Sequence, residues 1–182
     1  MVIFLVGFMG SGKSWWGETI STAAGIPFYD LDTEIEKSAG SDIGSIFRER
    51  GETYFRLLER KALLELAERI QPGQGLNLSD NLHWHAVVAT GGGTPCFMDN
   101  MKWMNERGIT VWLNPPLEEL LERLESETAK RPLLQGKAGL ELSGLIQTKM
   151  KEREPFYKMA RIEIKNTHIA VAEFLNKLEN AS

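Results

Sequence analysis

Residues 7–14, Gly-Phe-Met-Gly-Ser-Gly-Lys-Ser, have the spacing of a phosphate-binding loop, G-x-x-x-x-G-K-S. The apolar run at residues 2–6 predicts a buried strand, and the residues that follow the loop predict a helix. A strand that turns through glycines into a helix points backbone N–H groups and the positive helix end at one spot, where a polyphosphate can bind. The alternative is a glycine-rich turn that binds nothing, and it leaves the complete motif unexplained.

Each position of this loop has a predicted task. Gly10, Ser11 and Gly12 are expected to contact the phosphates, because the glycines let the backbone approach without a Cβ in the way. Lys13 is expected to reach the β- and γ-phosphates, and the Ser14 hydroxyl is expected to bind Mg²⁺. The motif therefore predicts a nucleotide site with Mg²⁺ as its cofactor.

Two aspartates follow the next predicted strand, at residues 26–29. Asp30 and Asp32 are spaced i, i+2 at the strand end, so both would point out of the carboxyl edge of the sheet, where ligands bind in open α/β folds. The alternative is a helix start, since acidic residues are common at helix N-termini. Capping would explain one aspartate and leave the other for chemistry.

Three further groups of residues are candidates for a site. Arg56 and Glu59 are spaced i, i+3 and share a helix face, although such a pair taken alone is most often a solvated surface ion pair. Residues 91–93 are consecutive glycines at a strand end, and the close approach of a ligand explains them better than a tight turn. His83 and His85 would face one side of a strand, but no third candidate ligand lies nearby in the sequence to complete a metal site.

Strands and helices alternate along the rest of the chain. Strands are also predicted at residues 86–90, 109–113 and 161–165, and residues 71–81 are predicted to form a loop. Helices are predicted at 14–24, 33–67 with breaks near 40 and 51, 100–108, 116–128, 140–154 with an end at Pro155, and 169–178. This alternation predicts one α/β domain over residues 1–182, a three-layer α/β/α arrangement with a central parallel sheet of about five strands. With the phosphate loop near its start, such a domain resembles P-loop NTPases and nucleoside monophosphate kinases.

The composition limits the possible partners. A net charge of −4 and a pI near 5.5 over 182 residues give no basic surface of the kind that binds nucleic acid or an anionic membrane. The single cysteine, Cys96, cannot form an intramolecular disulfide, and no leader pattern precedes the first strand. The apolar start is too short to span a bilayer. We therefore expect a cytoplasmic protein, acting as a monomer, with neither nucleic acid nor membrane as a partner.

Six segments together resemble the shikimate kinases, the small P-loop kinases of the aromatic amino acid pathway, and the resemblance runs nearly end to end. They are the phosphate loop, Asp30-Leu31-Asp32, Gly51-Glu52 with Phe55-Arg56 and Glu59, Gly91-Gly92-Gly93, Arg131-Pro132-Leu133-Leu134, and Arg153 ahead of Pro155-Phe156-Tyr157. Each segment alone is weak, but six in the same order are specific. The resemblance implies an enzyme that transfers the γ-phosphate of ATP to the 3-hydroxyl of shikimate, giving shikimate 3-phosphate and ADP.

The resemblance implies a role for each group of site residues. Asp30 would join Ser14 at the Mg²⁺ ion, and Asp32 would bind the substrate hydroxyls. The shikimate carboxylate would be gripped by two arginines, and three glycines would line the substrate pocket: Arg56 and Arg153, and Gly91, Gly92 and Gly93. These residue types suit the ligand, because an arginine fork matches a carboxylate and an aspartate matches a diol.

A basic stretch completes the expected site. Lys130, Arg131 and Lys137 lie between two predicted helices of an otherwise acidic chain, and the resemblance places them on a lid at about residues 126–139 that closes over ATP. Lys13, Arg131 and Mg²⁺ would neutralise the transferring phosphoryl group, and Asp32 would orient or deprotonate the attacking hydroxyl. The region at about residues 33–67 would bind the substrate. The alternative for the basic stretch is a solvated turn.

Two departures from the family pattern and two rival functions stand beside this hypothesis. Trp15 occupies a position where family members commonly have Thr or Ser, with a hydroxyl near the α-phosphate, and residues 71–85 are longer than expected. Another small-molecule kinase, such as a gluconate kinase or a nucleoside monophosphate kinase, would keep the loop, but the two arginines with the triple glycine favour shikimate. A binding module without turnover would not need all of these residues: Lys13, Ser14, Asp30, Asp32 and Arg131.

Overall fold

The computed structural model describes residues 1–70, 84–125 and 139–181. Five strands form one sheet: β1 Val2–Val6, β2 Phe28–Asp30, β3 Ala86–Ala89, β4 Gly108–Leu113 and β5 Ile162–Ile164. Their order across the sheet is β2-β3-β1-β4-β5, and every neighbouring pair is parallel. The predicted parallel sheet of about five strands is therefore confirmed, with β1 at its centre.

Helices connect the strands and cover both faces of the sheet. Within the described residues they are α1 Lys13–Ala24, α2 Leu31–Ala39, α3 Ile43–Arg69, α4 Asn100–Arg107, α5 Leu117–Glu125, α6 Gly139–Tyr157 and α7 Val171–Glu179, with a short 3-10 turn at Thr94–Cys96. The break predicted near residue 51 is present, because Gly51 has φ 78° and ψ 170° inside α3. The predicted loop at residues 71–81 lies outside the described residues.

The alternating side chains of β1 show why the fold has three layers. Ile3 and Leu5 face one side of the sheet, where they pack with Trp16 and Ile20 of α1 and with Phe174 of α7. The residues between them face the opposite side, where the core is built with residues of α2 to α6: Val2, Phe4 and Val6. Because both faces are buried, β1 is apolar at every position, as strands of a covered parallel sheet generally are.

Helix α6 runs two residues beyond its predicted end. Pro155 was expected to stop the helix because it lacks an N–H group, yet α6 continues to Tyr157. The Tyr157 side chain is buried, its ring lies 5.7 Å from that of Trp112, and its hydroxyl donates a hydrogen bond to the Gly92 carbonyl at 2.5 Å. These tertiary contacts offset the backbone hydrogen bond that proline cannot make in the last helical turn.

Three strands deliver the candidate residues to one edge of the sheet. The carboxyl end of β1 leads into the phosphate loop, that of β2 into α2, and that of β3 into the glycine turn at residues 91–93. In a parallel sheet these ends lie on the same edge, so segments that are far apart in the sequence meet there.

Candidate active site

The phosphate loop has the backbone geometry that its glycines predict. Gly7, Gly10 and Gly12 have φ angles of 139°, 78° and 92°, and Gly12 is the N-cap residue of α1. L side chains rarely adopt such angles, so these positions require glycine. The first turn of α1 carries no acidic residue, which leaves its positive end open to an anion.

Lys13 lies folded over this loop. Its Nζ donates hydrogen bonds to the carbonyl oxygens of Gly7 at 2.9 Å and Phe8 at 2.8 Å. The ammonium group is therefore held beside the loop, and Lys13 lines the cleft described below.

Ser14 and Asp30 are in direct contact at the same edge. The Ser14 hydroxyl donates to Asp30 Oδ2 at 2.6 Å. The other carboxylate oxygen, Oδ1, accepts from the backbone N–H of Asp32 at 3.0 Å and of Thr33 at 3.5 Å, so Asp30 caps α2. Because Asp30 Oδ1 is fixed at the start of α2, Asp30 Oδ2 is held beside the phosphate loop.

The position of Asp32 corrects the prediction from the sequence. Asp30 ends β2, whereas Asp32 lies in the first turn of α2 and not on the strand, because capping by Asp30 starts the helix at Leu31. The two carboxylates therefore do not share a strand face. Asp32 nevertheless reaches the glycine turn, since a Cβ on Gly91 would lie 3.2 Å from Asp32 Oδ1.

One cleft of about 480 Å³ joins these residues. Its lining comes from the phosphate loop, the start of α1, the ends of β2 and β3, α5 and the segment before α7: Met9, Gly10, Ser11, Gly12, Lys13, Ser14, Trp15, Trp16, Asp30, Asp32, Thr90, Gly91, Gly92, Arg123, Thr167 and His168. Most of the predicted nucleotide and metal residues thus share one cavity with Asp32 and two of the three predicted glycines.

Arg56 is held by a buried carboxylate beside this cleft. Its Nη1 donates to Glu59 Oε2 at 2.7 Å, and its Nη2 donates to Glu52 Oε1 at 3.1 Å. Glu59 has no exposed surface and the Arg56 side chain is only 12% exposed, so the interpretation as a solvated surface pair is wrong. Burial lowers the pKa of Arg56, but the charges and hydrogen bonds of Glu59 and Glu52 outweigh it and raise that pKa above its usual value.

The second oxygen of Glu59 is bound as well. The hydroxyl of Thr94, at the start of the 3-10 turn, donates to Glu59 Oε1 at 2.6 Å, and Thr94 is fully buried. The carboxylate therefore bridges α3 to the turn that follows β3. It fixes Arg56 relative to the glycines at 91–93.

Neighbouring side chains explain two of the three glycines, Gly91 and Gly93. A Cβ on Gly91 would overlap Glu59 Oε1, and a Cβ on Gly93 would overlap the Arg56 guanidinium. A Cβ on Gly92 would lie 3.3 Å from Arg153 Nη1. The sequence predicted the close approach of a ligand; the structure adds that charged side chains of the site itself already occupy the space beside Gly91 and Gly93.

Arg153 approaches the glycine turn from α6. It is buried, and its guanidinium carbon lies 5.4 Å from the centre of the Phe8 ring in the phosphate loop. Arg56 and Arg153, 97 positions apart in the sequence, thus both contact the turn at residues 91–93. Two largely buried guanidinium groups around one turn offer N–H donors of the kind that match a small carboxylate.

Other cleft residues were missed in the sequence. Arg123 Nη1 donates to the Gly10 carbonyl at 3.1 Å and its Nη2 to Glu119 Oε2 at 2.8 Å. Glu119 also lies 3.2 Å from His168 Nε2. Because Arg123 and Glu119 are spaced i, i+4, they resemble an ordinary surface pair on α5, and only the tertiary fold brings them to the phosphate loop.

Some predicted residues cannot be placed. Arg131 and residues 126–138 of the expected lid lie outside the described residues, and so does His83. His85 Nδ1 lies 3.2 Å from the Met1 amino group. In the described part of the chain, no group of three His, Cys, Asp or Glu residues is arranged to hold a metal ion, and no helix is both long and apolar enough to cross a membrane.

Comparisons with known proteins agree with this geometry. The sequence profile of the family described as shikimate kinase matches residues 9–181. A shikimate kinase from Parabacteroides distasonis is 40% identical over 179 residues, which cover 98% of this chain and 95% of that protein. The similarity therefore extends over nearly the full length of both chains.

Solved structures give the same result. The crystal structure of shikimate kinase from Bacteroides thetaiotaomicron superposes with a TM-score of 0.82 at 36% identity, covering 99% of this chain and 97% of that chain. Shikimate kinase from Acinetobacter baumannii, in complex with shikimate, superposes with a TM-score of 0.79 at 32% identity, covering 98% and 90%. The family hypothesis drawn from six short segments is confirmed: this chain belongs to the shikimate kinase family and is an ATP-dependent kinase.

Proposed function

We propose that this enzyme transfers the γ-phosphoryl group of ATP to the 3-hydroxyl of shikimate at the cleft described above. The observation that carries the proposal is the shared glycine turn, which Asp32, Arg56 and Arg153 all approach while the phosphate loop lies beside it. An acceptor bound at the turn would lie next to a nucleotide bound at the loop. Family membership supports the same reaction.

Arg56 and Arg153 bind the shikimate carboxylate in this proposal. Both guanidinium groups are largely buried, and Arg56 is fixed by Glu59 and Glu52 before any ligand arrives. Preorganised donors lose little side-chain entropy when the ligand binds. A hydrogen bond to a charged group contributes about 1.5–3 kcal/mol, so each arginine accounts for roughly ten- to more than a hundredfold in affinity.

Ser14 and Asp30 fit a magnesium site. Their oxygens are 2.6 Å apart beside the phosphate loop, and Mg²⁺ typically binds through one or two protein oxygens together with phosphates and waters. When bound there, the ion would supply positive charge to the transferring phosphoryl group. Asp30 keeps its orientation because its other oxygen caps α2.

Lys13 and Asp32 act on the reacting atoms in this proposal. The Lys13 ammonium moves from the carbonyls of Gly7 and Phe8 to the β- and γ-phosphates and neutralises charge there. Asp32 accepts the proton of the shikimate 3-hydroxyl. The oxygen of that hydroxyl forms the new bond to the γ-phosphorus, and the bond between this phosphorus and ADP breaks. Arg131, the third expected catalytic residue, stays a prediction, as does the action of the enzyme as a cytoplasmic monomer.

The test is a coupled ADP-release assay with Mg-ATP, with shikimate present or absent. We expect ADP release that depends on shikimate, with gluconate inactive as an alternative acceptor. Lys13→Ala should abolish turnover while the circular dichroism spectrum stays unchanged, because the lysine meets charge that exists only with nucleotide bound. Equal ADP release with gluconate, or normal turnover of the Lys13 variant, would contradict the proposal.

A further inference from the structure

Trp15 is an exposed aromatic residue for which the proposed roles have no use. It is 60% exposed, yet it lines the same cleft as Lys13 and Ser14, the two residues before it. Among the described residues, most large apolar side chains are buried in the two cores, so an indole left open to water at this place needs a reason. A ligand that covers the indole when it binds would provide one.

The indole of Trp15 stands on a fixed base. Its ring lies 5.0 Å from that of Trp16 at an interplanar angle of 84°, an edge-to-face contact. Trp16 is buried, and its own ring lies 4.4 Å from that of Phe174 in α7. The aromatic contacts therefore limit the orientations that Trp15 can adopt, and an ordered ring loses little entropy when a ligand covers it.

The position of Trp15 restricts which part of a nucleotide it can contact. It follows Lys13 and Ser14 in the first turn of α1 and lines the cleft, so it lies close to a nucleotide whose phosphates are on the loop. Phosphate oxygens are strongly hydrated and gain nothing from an indole face, whereas a base presents a flat π-face that stacks on an aromatic ring. Arg123 and His168 line the same cleft.

We propose that Trp15 stacks on the nucleoside part of the bound nucleotide and contributes to nucleotide affinity in this enzyme. The proposal rests on the proposed function, since it assumes that ATP binds at the phosphate loop. In this enzyme the burial of the Trp15 ring would take the place of the polar contact from a Thr or Ser hydroxyl, which is common at this position in the family.

The test compares two ligands that share phosphates but differ in the nucleoside. Calorimetric titration with Mg-ATP and with Mg-tripolyphosphate is carried out on the wild-type protein and on Trp15→Phe, Trp15→Leu and Trp15→Ala. Base–aromatic stacking contributes enough that Trp15→Ala should weaken ATP binding by at least about fivefold. Trp15→Leu should resemble Trp15→Ala, Trp15→Phe should stay close to wild type, and the affinity for tripolyphosphate should be unchanged in all three.

Two outcomes in the Trp15 variants would overturn the proposal. Equal weakening of ATP and tripolyphosphate binding would mean that Trp15 only supports the loop, and unchanged ATP affinity in Trp15→Ala would mean that the indole makes no contact. Lys13→Ala keeps this test separate from the proposed function, because it should weaken both ligands. If Lys13→Ala changes neither affinity, or if wild type binds neither ligand, the phosphate-loop assignment itself fails and the Trp15 proposal fails with it.

Discussion

Thr94→Val is a sharp test of how the acceptor site is built. Valine keeps the shape of threonine but removes the hydroxyl that donates to Glu59 Oε1 at 2.6 Å. Thr94 and Glu59 are both fully buried, so water cannot easily replace the lost donor. A hydrogen bond to a charged group contributes about 1.5–3 kcal/mol, and we expect the free energy of unfolding to fall by about that amount. For a protein of this size the melting temperature should fall by roughly 3–12 °C.

The same substitution should affect one substrate only. Glu59 Oε2 holds Arg56 Nη1 at 2.7 Å, so a carboxylate that shifts to find another donor takes the guanidinium with it. We expect the KM for shikimate to rise about tenfold, with the KM for ATP within about twofold of wild type, since Lys13 and the phosphate loop are untouched. Thr94→Ser, which keeps the hydroxyl, should restore most of both properties.

Stability is measured by urea unfolding, monitored by circular dichroism. Activity is measured by steady-state kinetics with each substrate varied in turn. A Thr94→Val variant that is less stable but has a normal KM for shikimate would show that the hydrogen bond is structural and does not position Arg56. A variant with wild-type stability and kinetics would refute the reasoning altogether. Equal rises in both KM values would point to a general disturbance of the cleft.

Three further predictions follow from the site. Arg153→Ala should raise the KM for shikimate about tenfold or more with little effect on that for ATP, and a larger effect on ATP in steady-state kinetics would move this arginine to the nucleotide site. Asp30→Asn keeps a good helix cap but removes the charge, so half-maximal activity should require more Mg²⁺ in a magnesium titration; an unchanged requirement would exclude Asp30 from the ion site. Burial raises the pKa of Cys96 from 9.0 to about 11, although the nearby charges of Arg153 and Arg56 lower it. At pH 8 the folded protein should therefore react with a thiol reagent about a hundredfold more slowly than the denatured chain. Similar reaction rates for the two would contradict this prediction. Because the folded state favours the neutral thiol of Cys96, the free energy of unfolding should decrease as the pH rises from 9 toward 11.

The fold was predictable because its signals are local. The run at residues 2–6 is apolar at every position, as a strand buried on both faces must be, and the glycines of the phosphate loop directly follow it. The alternation of such strands with helices permits few arrangements, and the parallel sheet with helices on both faces is the common one. Neither inference needs a contact between distant parts of the chain.

The boundary between β2 and α2 was not predictable at the level the chemistry needs. Alternation along a strand places Asp30 and Asp32 on one face, whereas a cap at Asp30 places Asp32 in a helix, and both patterns fit the same letters. The hydrogen bond from the Asp32 N–H to Asp30 Oδ1, at 3.0 Å, decides between them. A difference of two residues thereby changes how the carboxylate reaches the cleft.

The burial of Arg56 and Glu59 was missed for another reason. Their i, i+3 spacing is that of a solvated pair, and only tertiary packing separates the two cases. The donor that completes Glu59 is Thr94, 35 positions along the chain, and it reaches Glu59 because β3 delivers the turn to the same edge of the sheet. Nothing in the sequence near residue 59 indicates this partner.

The glycine turn connects the predictable and unpredictable parts of the site. Three consecutive glycines indicate a close approach, and the sequence does not say by what. In the structure a Cβ would overlap the Glu59 carboxylate at Gly91 and the Arg56 guanidinium at Gly93, whereas at Gly92 it would lie 3.2 Å from the Met9 backbone nitrogen and 3.3 Å from Arg153 Nη1. Since Arg56 is a proposed carboxylate ligand and Glu59 fixes it, Gly91 and Gly93 are needed even before substrate binds. The lack of side chains on this turn therefore lets Arg56, Arg153 and Glu59 pack against it. Their packing in turn determines the shape of the space that is left for the substrate.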